Sequence, residues 1–357
     1  MRALAIYAGP RALAHLKAQG LRPHDVHAVP AAAGGPKGLV LNHLDRFIFG
    51  HWLQDATQPL HLLGASIGAW RMACACMPNP QAALAELAED YIAQSYEHEP
   101  GKPPTPEVVS RMFGRAIEAR LGSRADQILS HPHRRLHVFT SHGRGLLHRE
   151  GRWRTPLGYA CAFAANAVHR QALGQWIERV VFSDPRDPLP FALSDFRSQQ
   201  TSLLRHNLVP AVLASCSIPF WLRAVHDVPG GPSGAYWDGG ITDYHLHLNY
   251  QQMSTGLVLY PHFQPQVVPG WLDKAWTSRH RATSALSNVI VLAPSLQWVS
   301  TLPQAKLPDR KDFTSFGDDL AGRQRIWRQA LAQSQQLADD FAQFLRAPEQ
   351  WPVQPLA

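Results

Sequence analysis

The chain has 357 residues, of which 45% are apolar and 17% are charged, and its formal net charge is +7. This composition is typical of a globular protein that buries a sizeable core. No run of 18 or more uncharged apolar residues is present, which excludes a transmembrane helix, and the first residues are too poor in apolar side chains for a signal peptide. We therefore expect a cytoplasmic protein.

The cysteine and charge patterns restrict the kinds of metal, redox environment and macromolecular partner that we expect for this chain. The four cysteines show neither metal-ligand nor disulfide-framework spacing, so free thiols in a reducing compartment are the preferred interpretation. The basic residues, which set a pI of about 9.4, are dispersed along the chain. No helix-turn-helix, zinc or RNP pattern occurs, so we expect no nucleic-acid partner.

The first third of the chain alternates between predicted strands and helices, as α/β proteins do. In chain order the patterns predict a strand at 26–33, a helix from Pro36 to Phe49, a strand at 60–63 and a helix at 69–77. A glycine-rich turn separates each of these strands from the helix that follows it.

The remaining elements are predicted less regularly. A helix is expected at 81–96, paired strands at 136–140 and 146–150, and further strands at 180–182, 256–260 and 289–292. At about 318–345 the apolar residues recur at spacings of three, four or seven, which predicts a long amphipathic helix. Because no linker or repeat interrupts the chain, residues 1–357 are predicted to form a single domain.

The first chemical motif is Gly64-Ala65-Ser66-Ile67-Gly68, which fits G-x-S-x-G between a predicted strand and helix. A nucleophilic serine on such a strained turn needs small neighbours so that the turn can close. The following helix directs its N-terminal N–H groups toward the reacting centre. The motif therefore predicts Ser66 as a nucleophile; the alternative is a glycine-rich turn with an incidental serine.

A second glycine-rich loop, Ala33 to Gly38, also lies between a strand and a helix. Gly34 and Gly35 allow backbone N–H groups to approach a ligand, and Pro36 suits the first helical position. Such a loop forms a small anion site, which in acyl transfer binds the tetrahedral oxyanion. A nucleotide loop is the alternative, but neither Walker nor G-x-G-x-x-G spacing is present.

A late Asp238-Gly239-Gly240 follows a segment rich in Gly and Pro. Taken alone, an aspartate before two glycines is usually a turn, because Asp-Gly favours positive φ. Its importance comes from the motifs that precede it in the chain.

Four motifs in this order resemble the patatin family: the glycine-rich loop, the G-x-S-x-G turn, Ala214-Ser-Cys-Ser-Ile-Pro219 and Asp238-Gly-Gly. The resemblance implies an α/β fold, a patatin-like three-layer sandwich with a mainly parallel central sheet flanked by helices. It implies that Ser66 is the nucleophile and Asp238 its base, without a histidine. It also implies a serine acyl-ester hydrolase of the phospholipase A type, acting on lipids.

The chain departs from the family pattern in the oxyanion loop. The first glycine of the usual three is Ala33, and Pro36 has no N–H to donate. The resemblance therefore places the oxyanion hole on Gly34 and Gly35, with Lys37 as a further substrate-binding residue.

Two alternatives remain open at this stage. An α/β-hydrolase with a Ser–His–Asp triad would share G-x-S-x-G, and His245 and His247 follow Asp238 closely. A non-catalytic lipid-binding protein would fit the eleven tryptophans, the basic charge and the C-terminal amphipathic helix.

A metal site is a further hypothesis, raised by five clustered histidines. These residues, His131, His133, His137, His142 and His148, show no recognised ligand pattern. We therefore expect neither a metal nor an organic cofactor.

The substrate is predicted in outline only. Phe220 and Trp221, in the apolar stretch between the third motif and Asp238, are expected either to line an acyl pocket or to pack in the core. The substrate is expected to be a lipid or another acyl ester reached from water, with peripheral contact to an anionic membrane favoured by the basic charge. Acyl chain length, head group and the kind of ester stay open.

Overall fold

One mixed, mostly parallel sheet forms the centre of the computed structural model, which describes residues 1–99 and 102–356. Its strands are β1 (Leu4–Ala8), β2 (Val26–Ala31), β3 (Leu60–Ala65), β4 (Arg134–Gly143), β5 (Ile177–Ser183), β6 (Ser198–Ser202), β7 (Val225–His226), β8 (Ala235–Trp237), β9 (Leu257–Pro261), β10 (Val289–Pro294) and β11 (Val353–Pro355). Their spatial order is β11-β1-β10-β9-β2-β3-β4-β5-β6, with β8 paired to β4 and β7 to β8.

The helices cover both faces of this sheet, which gives three layers. They are α1 (Pro10–Gln19), α2 (Asn42–Phe47), α3 (Ile67–Ala75), α4 (Pro80–Ala93), α5 (Pro106–Leu121), α6 (Ala125–Leu129), α7 (Arg154–Val168), α8 (Arg205–Ser215), α9 (Gly240–Asp243), α10 (Leu296–Val299), α11 (Lys311–Phe316), α12 (Leu320–Gln333) and α13 (Gln335–Arg346). None of the helices in the described part of the chain is long and apolar enough to cross a membrane.

Burial explains why the central strands are mostly apolar in sequence. Strands β3, β9 and β10 are buried at every residue, as expected where helices cover both faces of a parallel sheet. Strands β2, β3 and β4 run parallel to one another, so β2 and β3 deliver the two glycine-rich loops to the same edge of the sheet. The predicted fold class, a three-layer α/β sandwich with a mainly parallel sheet, is confirmed.

Two predicted elements differ in the structure. Residues 146–150 do not form a strand, because β5 already occupies the antiparallel side of β4 as far as Gly143, and Gly145–His148 is a 3-10 helix. The predicted helix from Pro36 to Phe49 begins as a 3-10 helix, Gly35–Leu41, before it becomes α2.

The amphipathic segment predicted at about 318–345 consists of two helices, α12 and α13. The break lies at Ser334, whose hydroxyl donates to the Leu331 carbonyl at 2.7 Å and so competes with the helical backbone. Both helices bury an apolar stripe, which includes Trp327 in α12 and Phe341 in α13. The periodicity therefore identified the buried faces but not the break.

Candidate active site

Ser66 occupies a strained turn between β3 and α3. Its φ of 56° and ψ of −131° lie in a region that non-glycine residues seldom adopt. A Cβ on Gly68 would lie 1.9 Å from the Ala31 carbonyl oxygen, and one on Gly64 would lie 2.4 Å from the Cα of Ala69. The two glycines of G-x-S-x-G are thus required by close backbone packing around the serine.

Asp238 accepts a hydrogen bond from the hydroxyl of Ser66, although 172 positions separate the two residues. The Ser66 hydroxyl donates to Asp238 Oδ2 at 2.6 Å, and the Gly240 N–H donates to the other carboxylate oxygen at 2.7 Å. The Asp238 N–H donates to the Ser217 carbonyl at 2.9 Å, which fixes the backbone of the aspartate. One oxygen is therefore held by the backbone while the second faces the serine.

Burial raises the pKa of the Asp238 carboxyl above its ordinary range. The positive charge of Arg310, the hydrogen bond from Ser66 and the Gly240 N–H all act in the opposite direction. The carboxylate is consequently a stronger proton acceptor than an exposed aspartate.

Ser215 connects the serine to the aspartate turn. Its hydroxyl accepts the Ser66 N–H at 2.8 Å and donates to the Phe139 carbonyl on β4 at 2.7 Å. Its own carbonyl accepts the Gly239 N–H at 3.0 Å. The Ala-Ser-x-x-x-Pro motif was visible in the sequence, but this bridging position of its serine was not.

The first glycine-rich loop lies beside the same serine. Gly35 has a φ of +56°, and a Cβ on Gly34 would lie 2.5 Å from the Phe263 ring. Within residues 1–99 and 102–356, neither glycine donates its N–H to a backbone or side-chain acceptor. Both N–H groups therefore lack an acceptor within this part of the chain.

The alanine that departs from the family pattern is accommodated by the aspartate turn. A Cβ on Gly240 would lie 2.6 Å from the Cβ of Ala33 and 2.9 Å from a carboxylate oxygen of Asp238. Glycine at position 240 leaves the room that the Ala33 methyl group occupies.

Two cavities meet at the serine and the aspartate. The first, about 690 Å³, contains Ser66 and Gly35 and is mostly apolar; its walls include Ile67, Tyr91, Val109, Phe113, Trp221, Leu222 and Phe313. The second, about 210 Å³, contains Asp238 and Gly34. Ile218 and Arg310 line both cavities.

The predicted substrate-binding residues are placed differently from one another. Phe220 and Trp221 are 56% and 42% exposed, so the alternative that they are core residues is wrong. Trp221 lines the first cavity, whereas the Phe220 ring packs against Tyr159 with the centroids 5.8 Å apart. Lys37 lines the second cavity.

Sequence reasoning missed Arg310 and Lys274, which also line the second cavity. A Cβ on Gly35 would lie 3.2 Å from Arg310 Nε, so the guanidinium stem covers the glycine loop. Neither residue belongs to a motif, and only the tertiary fold brings them to the site.

The two histidines considered for a triad contact other residues. His245 stacks on Tyr244 with centroids 4.2 Å apart, and His247 Nε2 lies 3.1 Å from the Thr283 hydroxyl. In the part of the chain that the structure describes, no histidine is hydrogen-bonded to Ser66 or Asp238.

The histidines considered for a metal site do not converge on one point, although the rings of His142 and His148 are in contact with centroids 6.0 Å apart. The rings of His61 and His137 pair across 3.0 Å inside the sheet, and His142 pairs with Glu178 at 2.9 Å. Among the described residues no group of three or more His, Cys, Asp or Glu side chains is arranged to hold a metal ion.

Comparison with known proteins found one matching family model and two solved structures of low similarity. The family model of the patatin-like phospholipases matches residues 37–245, which is more than half of the chain. Among solved structures, VipD from Legionella pneumophila has a TM-score of 0.33 at 13% identity, over 95% of this chain and 70% of that one. Human GIVD cytosolic phospholipase A2 has a TM-score of 0.36 at 12% identity, over 97% of this chain and 66% of that one. Comparison with curated protein sequences gave no match.

Proposed function

Because the chain belongs to the patatin-like phospholipase family, we propose that it is a serine hydrolase of lipid acyl esters with Ser66 as nucleophile and Asp238 as general base. Membership of the family supports lipid acyl hydrolase activity. The observation that carries the assignment of residues is the 2.6 Å hydrogen bond from the Ser66 hydroxyl to Asp238 Oδ2. This distance is within the range that proton transfer between a nucleophile and its base requires.

In the first half of the reaction, Ser66 Oγ attacks the ester carbonyl carbon and its proton passes to Asp238 Oδ2. The resulting tetrahedral intermediate carries a negative charge on the former carbonyl oxygen. As the intermediate collapses, the carbon–oxygen bond to the alcohol breaks and the alcohol takes the proton from Asp238. The acyl group remains as an ester on Ser66.

In the second half, a water molecule attacks the acyl carbon and gives a proton to Asp238. Collapse of this intermediate breaks the bond to Ser66 Oγ, which recovers the proton, and the fatty acid leaves. The raised pKa of Asp238 supports both transfers, because it brings the carboxylate nearer in basicity to the groups it serves. No histidine is needed at any step.

The N–H groups of Gly34 and Gly35 are our candidates for the oxyanion hole. Their support is that both N–H groups lack partners within the described residues and that one glycine lines each cavity at the reacting centre. Removing one such donor typically lowers the rate about 10²–10³-fold. The apolar first cavity, which Trp221 lines, is our candidate for the acyl chain.

We extend the proposal to a single hydrolase domain over residues 1–357. Strand β1, near the start of the chain, pairs with β10 and with β11 near its end, which supports this assignment. The helices of the segment 318–345 pack against the rest of the molecule: Phe341 lies against Trp52 at 5.4 Å between ring centroids.

The exposed face of helix α7 supports our proposal that the protein makes a peripheral contact with an anionic membrane. Every exposed residue of α7 after its first two positions is apolar: Pro156, Leu157, Ala160, Phe163, Ala164, Ala167 and Val168. Exposed Arg152 and Arg154 flank Trp153 where the helix begins, a combination suited to anionic headgroups. Buried Tyr159 of α7 contacts Phe220, the residue before Trp221, so the helix packs beside the segment that supplies one wall residue of the first cavity.

A fluorophosphonate probe tests the assignment of the nucleophile. We expect it to label Ser66 in the wild-type chain, and Ser66→Ala to abolish both labelling and ester hydrolysis while the far-UV circular dichroism is retained. Ser300→Ala, which removes an exposed hydroxyl that donates to the Gln297 carbonyl, is the matched control and should label as wild type does. Labelling that persists in Ser66→Ala would contradict the proposal.

A further inference from the structure

The second cavity is lined by four cationic side chains that form no ion pair within the residues that the structure describes. We propose that it is an anion subsite for the leaving group, and that the preferred substrates are acyl esters of small alcohols that carry a phosphate monoester. The inference rests on the proposed function, because it assigns the two cavities to the two halves of one ester. The side chains concerned are Lys37, Lys274, Arg310 and Lys311.

None of these four side chains has a carboxylate oxygen within 4.0 Å among residues 1–99 and 102–356. Two carboxylates also line the cavity, and both have other partners. Asp238 accepts the Ser66 hydroxyl, and Asp309 lies 3.3 Å from Lys306, which is outside the cavity lining. The lining therefore carries four cations and two carboxylates, an excess of positive charge that Asp309 offsets in part at Lys37 and Asp238 in part at Lys274.

The ammonium groups are positioned by aromatic rings instead of by acids. Lys274 Nζ lies 3.9 Å from the centroid of the Tyr244 ring, and Lys37 Nζ lies 5.2 Å from that of Phe263. A cation–π contact orients a cation but leaves its charge in place.

Burial, together with repulsion from Lys37 and Arg310, lowers the pKa of Lys274 to about 8. Burial likewise lowers the pKa of Lys37. An anion bound among these groups would relieve the repulsion and stabilise their charged forms.

The position of the cavity selects the leaving group as the anion carrier. The acyl group and the alcohol extend from the ester carbon in different directions, and Ser66 lines one cavity while Asp238 lines the other. The larger apolar cavity suits the acyl chain, which leaves the smaller cationic one for the alcohol. A phosphate monoester fits the charge best, because it carries up to two negative charges and three acceptor oxygens.

The same charges discriminate against other head groups. A phosphocholine head group has no net charge, because its ammonium cancels its single phosphodiester charge, and an uncharged glycerol would leave the repulsion among the cations unrelieved. For one acyl chain, we expect kcat/KM to be highest for the acyl glycerol phosphate and lower for both the monoacylglycerol and the acyl glycerophosphocholine, which have no net negative charge.

The experiment measures kcat/KM of the full chain on these three substrates, each presented as monomers with the same acyl group. Lys274→Gln should lower the preference for the phosphate ester over the neutral ester roughly tenfold, the effect of losing one charged hydrogen bond. Lys17→Gln is the control: it removes the same charge from an exposed site on α1 and should leave the preference unchanged.

The pH dependence of the preference provides a second readout. As the pH rises through about 8, Lys274 loses its proton, so the wild-type preference for the phosphate ester should decline. Lys274→Arg should retain more of the preference in that range, because a guanidinium stays charged. Titration of Asp238 changes kcat/KM by the same factor for both esters, so it cancels in the ratio of the two values.

Inhibition of neutral-ester hydrolysis shows whether the cavity binds the phosphate of the leaving group or free inorganic phosphate. Glycerol 3-phosphate should compete with the neutral ester, whereas glycerol at the same concentration should not. Activation by inorganic phosphate would instead indicate a regulatory ion site and overturn the leaving-group assignment.

The outcomes also separate this inference from the proposed function. Equal kcat/KM on phosphate and neutral esters, or equal effects of Lys274→Gln and Lys17→Gln, would overturn the anion subsite while Ser66-dependent hydrolysis stood. Hydrolysis that survives Ser66→Ala would overturn the proposed function itself.

Discussion

The backbone N–H of Ser66 donates to the hydroxyl of Ser215 at 2.8 Å, although the two residues are 149 positions apart. That hydroxyl in turn donates a hydrogen bond to the Phe139 carbonyl, so it anchors the strained serine turn to strand β4. The neighbouring carbonyl of Ser215 holds the Gly239 N–H, next to Asp238. Ser215 is thus a positioning residue for both members of the proposed dyad.

Ser215→Ala should lower kcat about tenfold and leave KM nearly unchanged. The substitution leaves the buried Ser66 N–H without an acceptor, which commonly costs about 1–3 kcal/mol. Steady-state kinetics and the rate of fluorophosphonate labelling measure the loss, and the free energy of unfolding shows how much of it is structural.

Ser217→Ala is the matched control for Ser215. It lies in the same motif, but its hydroxyl donates to the Leu213 carbonyl of α8 and contacts neither Ser66 nor Asp238. We expect nearly wild-type kcat. Wild-type kcat in Ser215→Ala would remove the positioning role.

The sequence predicted the fold class because its motifs are local. G-x-S-x-G requires a strand before it and a helix after it, and the structure has β3 and α3 at those places. The glycines meet neighbouring backbone so closely that a side chain at Gly64 or Gly68 would clash. Requirements of this kind remain readable in a short stretch of residues.

The residues around the proposed dyad could not be predicted from local motifs. Arg310 and Lys274 lie in the C-terminal part of the chain, which carries no motif, and reach the second cavity only through tertiary packing. The strand predicted at 146–150 failed for a related reason. Its alternation was plausible, but β5, from a later segment, occupies the place beside β4.

The acid limb of the pH–activity profile should reflect the ionisation of the Asp238 carboxyl. Only the carboxylate accepts the serine proton, so activity rises with pH as Asp238 loses its proton. Because burial raises this pKa, the limb should lie above the ordinary value for aspartate, about 4. Measurement of kcat/KM on an uncharged ester from roughly pH 4 to 8 locates it.

Arg310→Gln should move that limb to higher pH. The positive charge of Arg310 is the largest influence opposing burial at Asp238, and its removal favours the protonated carboxyl. Arg310→Lys keeps the charge and should leave the limb closer to its wild-type position. A limb that stays in place or moves to lower pH in Arg310→Gln would contradict this electrostatic relation.

The apolar face of α7 should determine membrane affinity. Leu157 and Val168 are 56% and 85% exposed, and replacing both with serine should weaken binding to vesicles containing anionic phospholipid about tenfold. Leu296→Ser, at an 83% exposed position on α10, is the control for the loss of an exposed apolar residue. Co-sedimentation measures the binding, and equal losses in the α7 variant and the control would argue against this face.

Trp221 and Phe220 should differ in their effect on acyl chain preference. Esters with medium or long chains should exceed acetate esters in kcat/KM, since each buried CH₂ can contribute up to about 0.8 kcal/mol. Trp221→Ala should flatten this dependence, because Trp221 lines the first cavity. Phe220→Ala should preserve it, because that ring packs on Tyr159 instead, and so it is the matched aromatic control. An ester series from two carbons upward, measured on both variants, decides between them. A preference for acetate, or the same flattening in both variants, would remove the first cavity as the acyl site.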